Sequence, residues 1–246
     1  MEKTIKEIHS SKTGKSSDKW ESYLDYYDAL LHPYRNSPVR LFEIGVQNGG
    51  SLETWAQYFS HGTHFVGCDI NVRCRQLVFD DSRIHVVVGD ANSPDAYAAV
   101  RSISNTYDVI IDDGSHRSTD IVQSFVNYFP MVAPGGVYVV EDTHALYGTH
   151  FGADYGGGIL NERSAIKLFL KLADEVNYEW WHQDVELHRF MTSFFPAGVP
   201  DFIAAGWVAS VSFRNSIVEI RKEKTPGHRK VGRRLVCGTD RRVSDP

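Results

Sequence analysis

The 246-residue chain is short of cysteine, of long apolar runs and of positive charge. Its three cysteines, Cys68, Cys74 and Cys237, form an odd set without metal-ligand spacing. That excludes a disulfide framework and a thiolate metal centre, and leaves reduced thiols as the expectation. No apolar stretch approaches the roughly 20 residues that span a bilayer, so no membrane partner is expected. The first twenty residues, MEKTIKEIHSSKTGKSSDKW, are polar where an export signal needs an apolar core. The expected compartment is therefore the cytoplasm. Internal repeats and low-complexity segments are also lacking.

Lys and Arg number 26 against 31 Asp and Glu. The shortfall is uneven, since residues 221–246 hold nine basic residues against three acids and the rest of the chain 17 against 28. This basic tail contains no Phe, Tyr or Trp. Base stacking by a single-strand binder needs such aromatics, so the tail reads as a solvated, disordered terminus and nucleic acid is not an expected partner.

What is present is a regular alternation. An aromatic, helical pattern (Trp20, Tyr23, Leu24, Tyr27, Leu30, Leu31) closes a leader over 1–36. From residue 37, apolar runs at 39–45, 64–70, 84–90, 107–113 and 135–142 alternate with helical patterns. Apolar strands without polar alternation, separated by helices, predict an α/β fold with a doubly wound, mostly parallel sheet covered on both faces. A helix over 161–177, with Ile166, Phe169, Leu170 and Ala173 on one face, is followed by two strands joined at Arg214–Asn215. These predict a closing antiparallel hairpin. The main domain then runs over 37–222, with an acceptor or lid insertion around 147–206, and the basic tail follows over 223–246.

In doubly wound sheets ligands bind beyond the carboxyl ends of the strands. The stretch EIGVQNGGS places Glu43 at the end of the first strand, Gly45 and Gly49 where backbone must approach closely, and Ser51 where it can cap the next helix. Asp69 ends the second strand, where a carboxylate can accept from both ribose hydroxyls, and Asp90 ends the third, near an adenine. Asp112 is counted with these cofactor-binding residues. The Gly-x-Gly-x-x-Gly pattern of a dinucleotide site is lacking, because Gln47 occupies its middle position and crowds a pyrophosphate. Glu43 also repels phosphate while suiting a sulfonium cofactor with a free amino group. S-adenosylmethionine is thus favoured over NAD.

A second constellation ends the fourth and fifth strands: Asp112, Asp113 and His116 in IIDDGSH, then Glu141, Asp142 and His144 in VVEDTH. Neighbouring strands lie about 4.8 Å apart, so both clusters can converge. Crowded carboxylates repel unless a cation neutralises them, and an all-oxygen donor set points to Mg²⁺ on Asp113, Glu141 and Asp142. Such an ion can hold two vicinal hydroxyls of an acceptor and acidify one, leaving His116 as general base beside Asp113. The plainer reading makes Asp112 and Asp113 helix caps and His144 and His150 loop residues. Tyr147, Phe151 and Tyr155 fit either a sugar-stacking lid or core.

SDKW with the aromatic helix behind it, LFEIGVQNGGSLETW, YDVIIDDGSH, FPMVAPGGVYVVEDTH and VSFRNSIVEIRK together resemble the metal-dependent sugar O-methyltransferases of the mycinamicin and tylosin type, and related bacterial glycan methyltransferases. The resemblance covers about residues 17–147 and 207–222. It implies a class I, Rossmann-like methyltransferase fold, S-adenosylmethionine, Mg²⁺ on Asp113, Glu141 and Asp142, and His116 as base. It leaves a homo-oligomer open, and the segment 148–206 has no match. The expected function is methyl transfer to a sugar hydroxyl of a small-molecule or oligosaccharide acceptor. The competing readings are a catechol-type O-methyltransferase, a non-catalytic adenosyl- or glycan-binding module, and an NAD-dependent oxidoreductase.

Overall fold

The computed structural model describes residues 2–148, 152, 155–182 and 184–239. His150 and Phe151, two of the proposed pocket and lid residues, lie outside that set. Five parallel strands, β1 (Arg40–Ile44), β2 (His64–Asp69), β3 (Ile84–Val88), β4 (Tyr107–Asp112) and β5 (Val132–Val140), join an antiparallel pair, β6 (Val208–Arg214) and β7 (Ile217–Lys222). The sheet order is β3-β2-β1-β4-β5-β7-β6, with β7 antiparallel to β5. The doubly wound, mostly parallel sheet and its closing hairpin are as the alternation of patterns predicts.

Both faces are buried, which explains why the strands read as unbroken apolar runs. Leu41, Val109, Ile111, Val137 and Val139 enter one apolar cluster with α1 (Ile5–Ser10), α2 (Glu21–Leu31) and α3 (Gly50–Tyr58). Their neighbours Phe42, Ile44, Ile110, Tyr138 and Val140 enter the other, with α4 (Pro94–Ile103), α5 (Ser118–Tyr128) and α6 (Ala165–Glu175). The short helices α7 (Leu187–Met191) and α8 (Asp201–Ala204) fill the same side through Leu187, Met191, Phe202 and Ile203. The leader therefore packs into the core of the main domain.

Several local expectations are corrected. The leader also contains α1, opened by a capping box in which Thr4 and Glu7 bond each other's backbone amides, with T-x-x-E as its sequence signature. The helix at 161–177 is shorter, and its buried face is Ala165, Ile166, Leu168, Phe169 and Leu172, while Leu170 is 44% exposed. Burying a Leu or Phe is worth about 1.5–3 kcal/mol, so the face carrying Phe169 and Leu172 sets the roll of the helix. The hairpin turns at Asn215–Ser216, one residue later than expected, with Ser216 at φ 67. The basic tail begins by folding back: His228 Nε2 meets the Ala204 carbonyl at 2.9 Å and the Lys230 amide donates to Glu179 at 3.1 Å.

Candidate active site

Strand order reverses between β1 and β4, and there a cleft of about 770 Å³ opens over the carboxyl ends of β1 to β4. Gly45 has φ 94, and a Cβ on it would sit 2.1 Å from the Asp113 carbonyl oxygen, so only glycine lets β1 and β4 end side by side. Gln47 takes φ 51 in the same loop, a left-handed position that glycine commonly fills. Asp69 holds this loop: one carboxylate oxygen accepts from the Val46 and Gln47 amides, both at 2.8 Å, and the other from Asn71 at 2.8 Å. Asp90 accepts from the Asn92 amide at 2.9 Å.

Gly45, Ser51, Asp69, Asp90, Asp112, Asp113, His116 and Asp142 all line the cleft. Ser51 does not cap α3. Its hydroxyl donates to Glu43 at 2.5 Å, and the N-cap is Gly49 in the left-handed region. Gly49 faces Phe79, whose ring a Cβ would meet at 2.4 Å. Asp112 is buried, accepting from the Tyr138 hydroxyl at 3.2 Å, and burial pushes its carboxyl up to about 7.

At the cleft wall a buried ammonium holds the acids together. Lys19 Nζ lies 2.5 Å from Asp113 Oδ2, 2.8 Å from both Glu141 oxygens and 3.7 Å from Glu43 Oε1, with its side chain 5% exposed. Burial alone would lower its pKa, but Glu141, Asp113 and Glu43 outweigh that and hold it well above the ordinary lysine value. Burial also pushes Glu43 up to about 7 and raises Glu141, against the pull of the same lysine. Tyr27 donates to Glu141 at 2.7 Å and Tyr23 to Asp142 at 2.8 Å.

On the cleft side, His116 and Asp142 face each other from loops in the left-handed region, at φ 56 and φ 52. His116 Nε2 is 3.8 Å from Asp142 Oδ2 and 4.0 Å from Asp113 Oδ1. Donor atoms thus cluster within 4.8 Å of one another in two sets that share Asp113, namely Asp113, His116 and Asp142, and Glu43, Asp113 and Glu141. Of the three expected metal ligands, Asp113 belongs to both sets, Asp142 to the outer one, and Glu141, bonded by Lys19, to the inner one. His144 meets the Ser216 hydroxyl at 2.5 Å and the Trp20 ring edge-on. Tyr147 is 45% exposed, and the Tyr155 ring lies 5.9 Å from the Arg117 guanidinium.

Sequence reasoning read Tyr23 and Tyr27 only as part of an aromatic helix and gave Lys19 no role at the site. Tyr23 and Tyr27, at i and i+4, share one face of α2, and Lys19 stands in the irregular segment just before that helix. Nothing local to Lys19 announces that this face meets acids from β1, β4 and β5.

Residues 42–143 match the family model described as a methyltransferase domain. Among curated proteins the chain is 34% identical over 176 residues to demethylmacrocin O-methyltransferase of Streptomyces fradiae, covering 68% of this chain and 43% of that protein. It is 30% identical over 226 residues to the 8-demethyl-8-alpha-L-rhamnosyl tetracenomycin-C 2'-O-methyltransferase of Streptomyces olivaceus, covering 88% and 55%. Among solved structures, the MycE methyltransferase from the mycinamycin biosynthetic pathway, in complex with Mg and SAH, superposes with a TM-score of 0.73 at 25% identity, covering 91% of this chain and 55% of that one. The chain spans about half the length of these relatives.

Proposed function

We propose that the chain is an S-adenosylmethionine-dependent methyltransferase of the branch that holds the sugar O-methyltransferases, and that it methylates a hydroxyl of a sugar or glycoside with the help of a divalent metal. The observation that carries the reading is the convergence of Asp113, His116 and Asp142 at the rim of an adenosyl-sized cleft, two of them in left-handed backbone. The cleft fits the cofactor in its donors: Asp69 and Asp90 at successive strand ends suit ribose and adenine, and the glycine at 45 brings backbone close. The acids fit Mg²⁺, since Glu43, Asp113 and Glu141 crowd around a single lysine, Asp142 joins Asp113 in the neighbouring set, and together they offer only hard oxygens beside one imidazole.

Asp113, Glu141 and Asp142 are the residues that would hold the ion. When bound, the sulfonium cofactor supplies the methyl group and the metal supplies Lewis acidity toward an acceptor hydroxyl. His116 accepts the hydroxyl proton at Nε2, which faces the carboxylates of Asp142 and Asp113 at 3.8 and 4.0 Å. Tyr23 and Tyr27 orient Asp142 and Glu141 through their hydroxyls. The Asp69 carboxylate keeps the β1 loop open against the cofactor side. No helix among the described residues is long and apolar enough to cross a membrane. A cytoplasmic enzyme with a small-molecule or oligosaccharide acceptor fits that finding and the relatives.

Calorimetric titration with S-adenosylhomocysteine, with and without Mg²⁺ and after EDTA, tests the reading. Binding in the micromolar range, about −8 kcal/mol, is expected. No binding under any of these conditions would refute it.

A further inference from the structure

We propose that Lys19 is a resident counter-cation of the inner carboxylate set and that a divalent ion takes up its ligands by displacing it. The inference rests on the metal-dependent reading above. An ion shared by Asp113 and Glu141 has to sit between their oxygens, which is where Lys19 Nζ already lies, at 2.5 Å from one and 2.8 Å from the other. Mg²⁺ requires oxygens at about 2.0–2.1 Å and cannot share that volume with an ammonium. Glu141 is held in the inner set, whereas Asp113 already reaches the outer one. Moving Glu141 toward Asp142 therefore means breaking its bonds to Lys19.

The surroundings permit the exchange. Lys19 is outside α2, in a segment without regular structure, on a flexible stem. Two of its acids keep other partners when it leaves, Tyr27 on Glu141 and Ser51 on Glu43. Without any cation the inner set, two of whose three carboxyls are buried, would be uncompensated. Lys19 thus keeps the metal-free protein folded around a preformed acid cluster. Ser16 to Lys19 also line the cleft, so displacement alters the wall beside the cofactor.

Brief acetylation of the wild-type protein with S-adenosylhomocysteine present, followed by mass spectrometry of each lysine, tests the displacement directly. Lys19 should be protected without Mg²⁺ and react several-fold faster at saturating Mg²⁺, relative to Lys15, which is 25% exposed at the surface. In parallel, Lys19→Met should bind Mg²⁺ roughly tenfold more tightly than wild type by calorimetry. Should that variant fail to fold, the wild-type labelling decides alone. Lys19 that stays protected while Mg²⁺ binds overturns displacement and leaves the methyltransferase reading standing. Mg²⁺ binding by neither protein overturns both the displacement and the metal-dependent reading.

Discussion

His116 and Asp142 show how single residues carry strain for a site. Neither is glycine, yet both adopt positive φ, at a cost of about 1–3 kcal/mol each. The conformation aims an imidazole and a carboxylate at the same point above the strand ends, which extended backbone would not do. His116→Ala should therefore leave S-adenosylhomocysteine affinity intact while lowering turnover of a sugar acceptor about 10²–10⁴-fold, as expected for a lost general base. Asp113→Ala should lose turnover and Mg²⁺ binding together, because Asp113 belongs to both donor sets. Unchanged turnover in the histidine variant would sink its assignment as base.

At the scale of elements, the decisive contact joins the N-terminal segment to the start of α3. Gly50 is the first residue of that helix, and a Cβ on it would stand 1.9 Å from the Ser16 carbonyl oxygen. The segment is tied down nearby by Asn48 donating to Ser16 at 2.6 Å and by Lys12 to Glu53 at 2.7 Å. Gly50→Ala must push the two apart. Overpacking of this kind costs about 1–3 kcal/mol, so the urea midpoint should fall by a corresponding amount, and cofactor binding should weaken because Ser16 and Ser17 line the cleft. A wild-type midpoint would show that the segment is not anchored there.

Across the whole molecule, stability is tuned by a buried acid far from the cleft. Glu175 ends α6 fully buried, 3.1 Å from His228 Nδ1 in the returning tail. Burial raises its pKa above 4.5, against the pull of Lys230 and His228. The folded state then binds this proton more tightly than the unfolded chain does, so the contribution is fully present below pH 4.5 and declines as pH rises through the raised value. Glu175→Gln should flatten this part of the pH dependence, gaining on wild type as pH increases. Urea denaturation from pH 4 to 8 measures it, and parallel curves for the two proteins would rule the effect out.

The apolar runs, their helical spacers and the acids at the strand ends were legible in the sequence, because period and burial are properties of consecutive residues. That sufficed for a doubly wound sheet, for the cleft at its reversal and for the aspartates and histidine gathered there. The face of α6 and the hairpin register escaped by a residue or two, since packing and the positive φ of Ser216 decide them. Lys19 escaped entirely. A lysine in a polar leader has no local mark of burial, and only the docking of α2 against β1, β4 and β5 brings its ammonium 94 residues along the chain to Asp113 and 122 to Glu141. Sequence by itself determined which chemistry stands at the end of the sheet; tertiary structure decided which cation meets it, because charge pairing depends on distance in space and not along the chain.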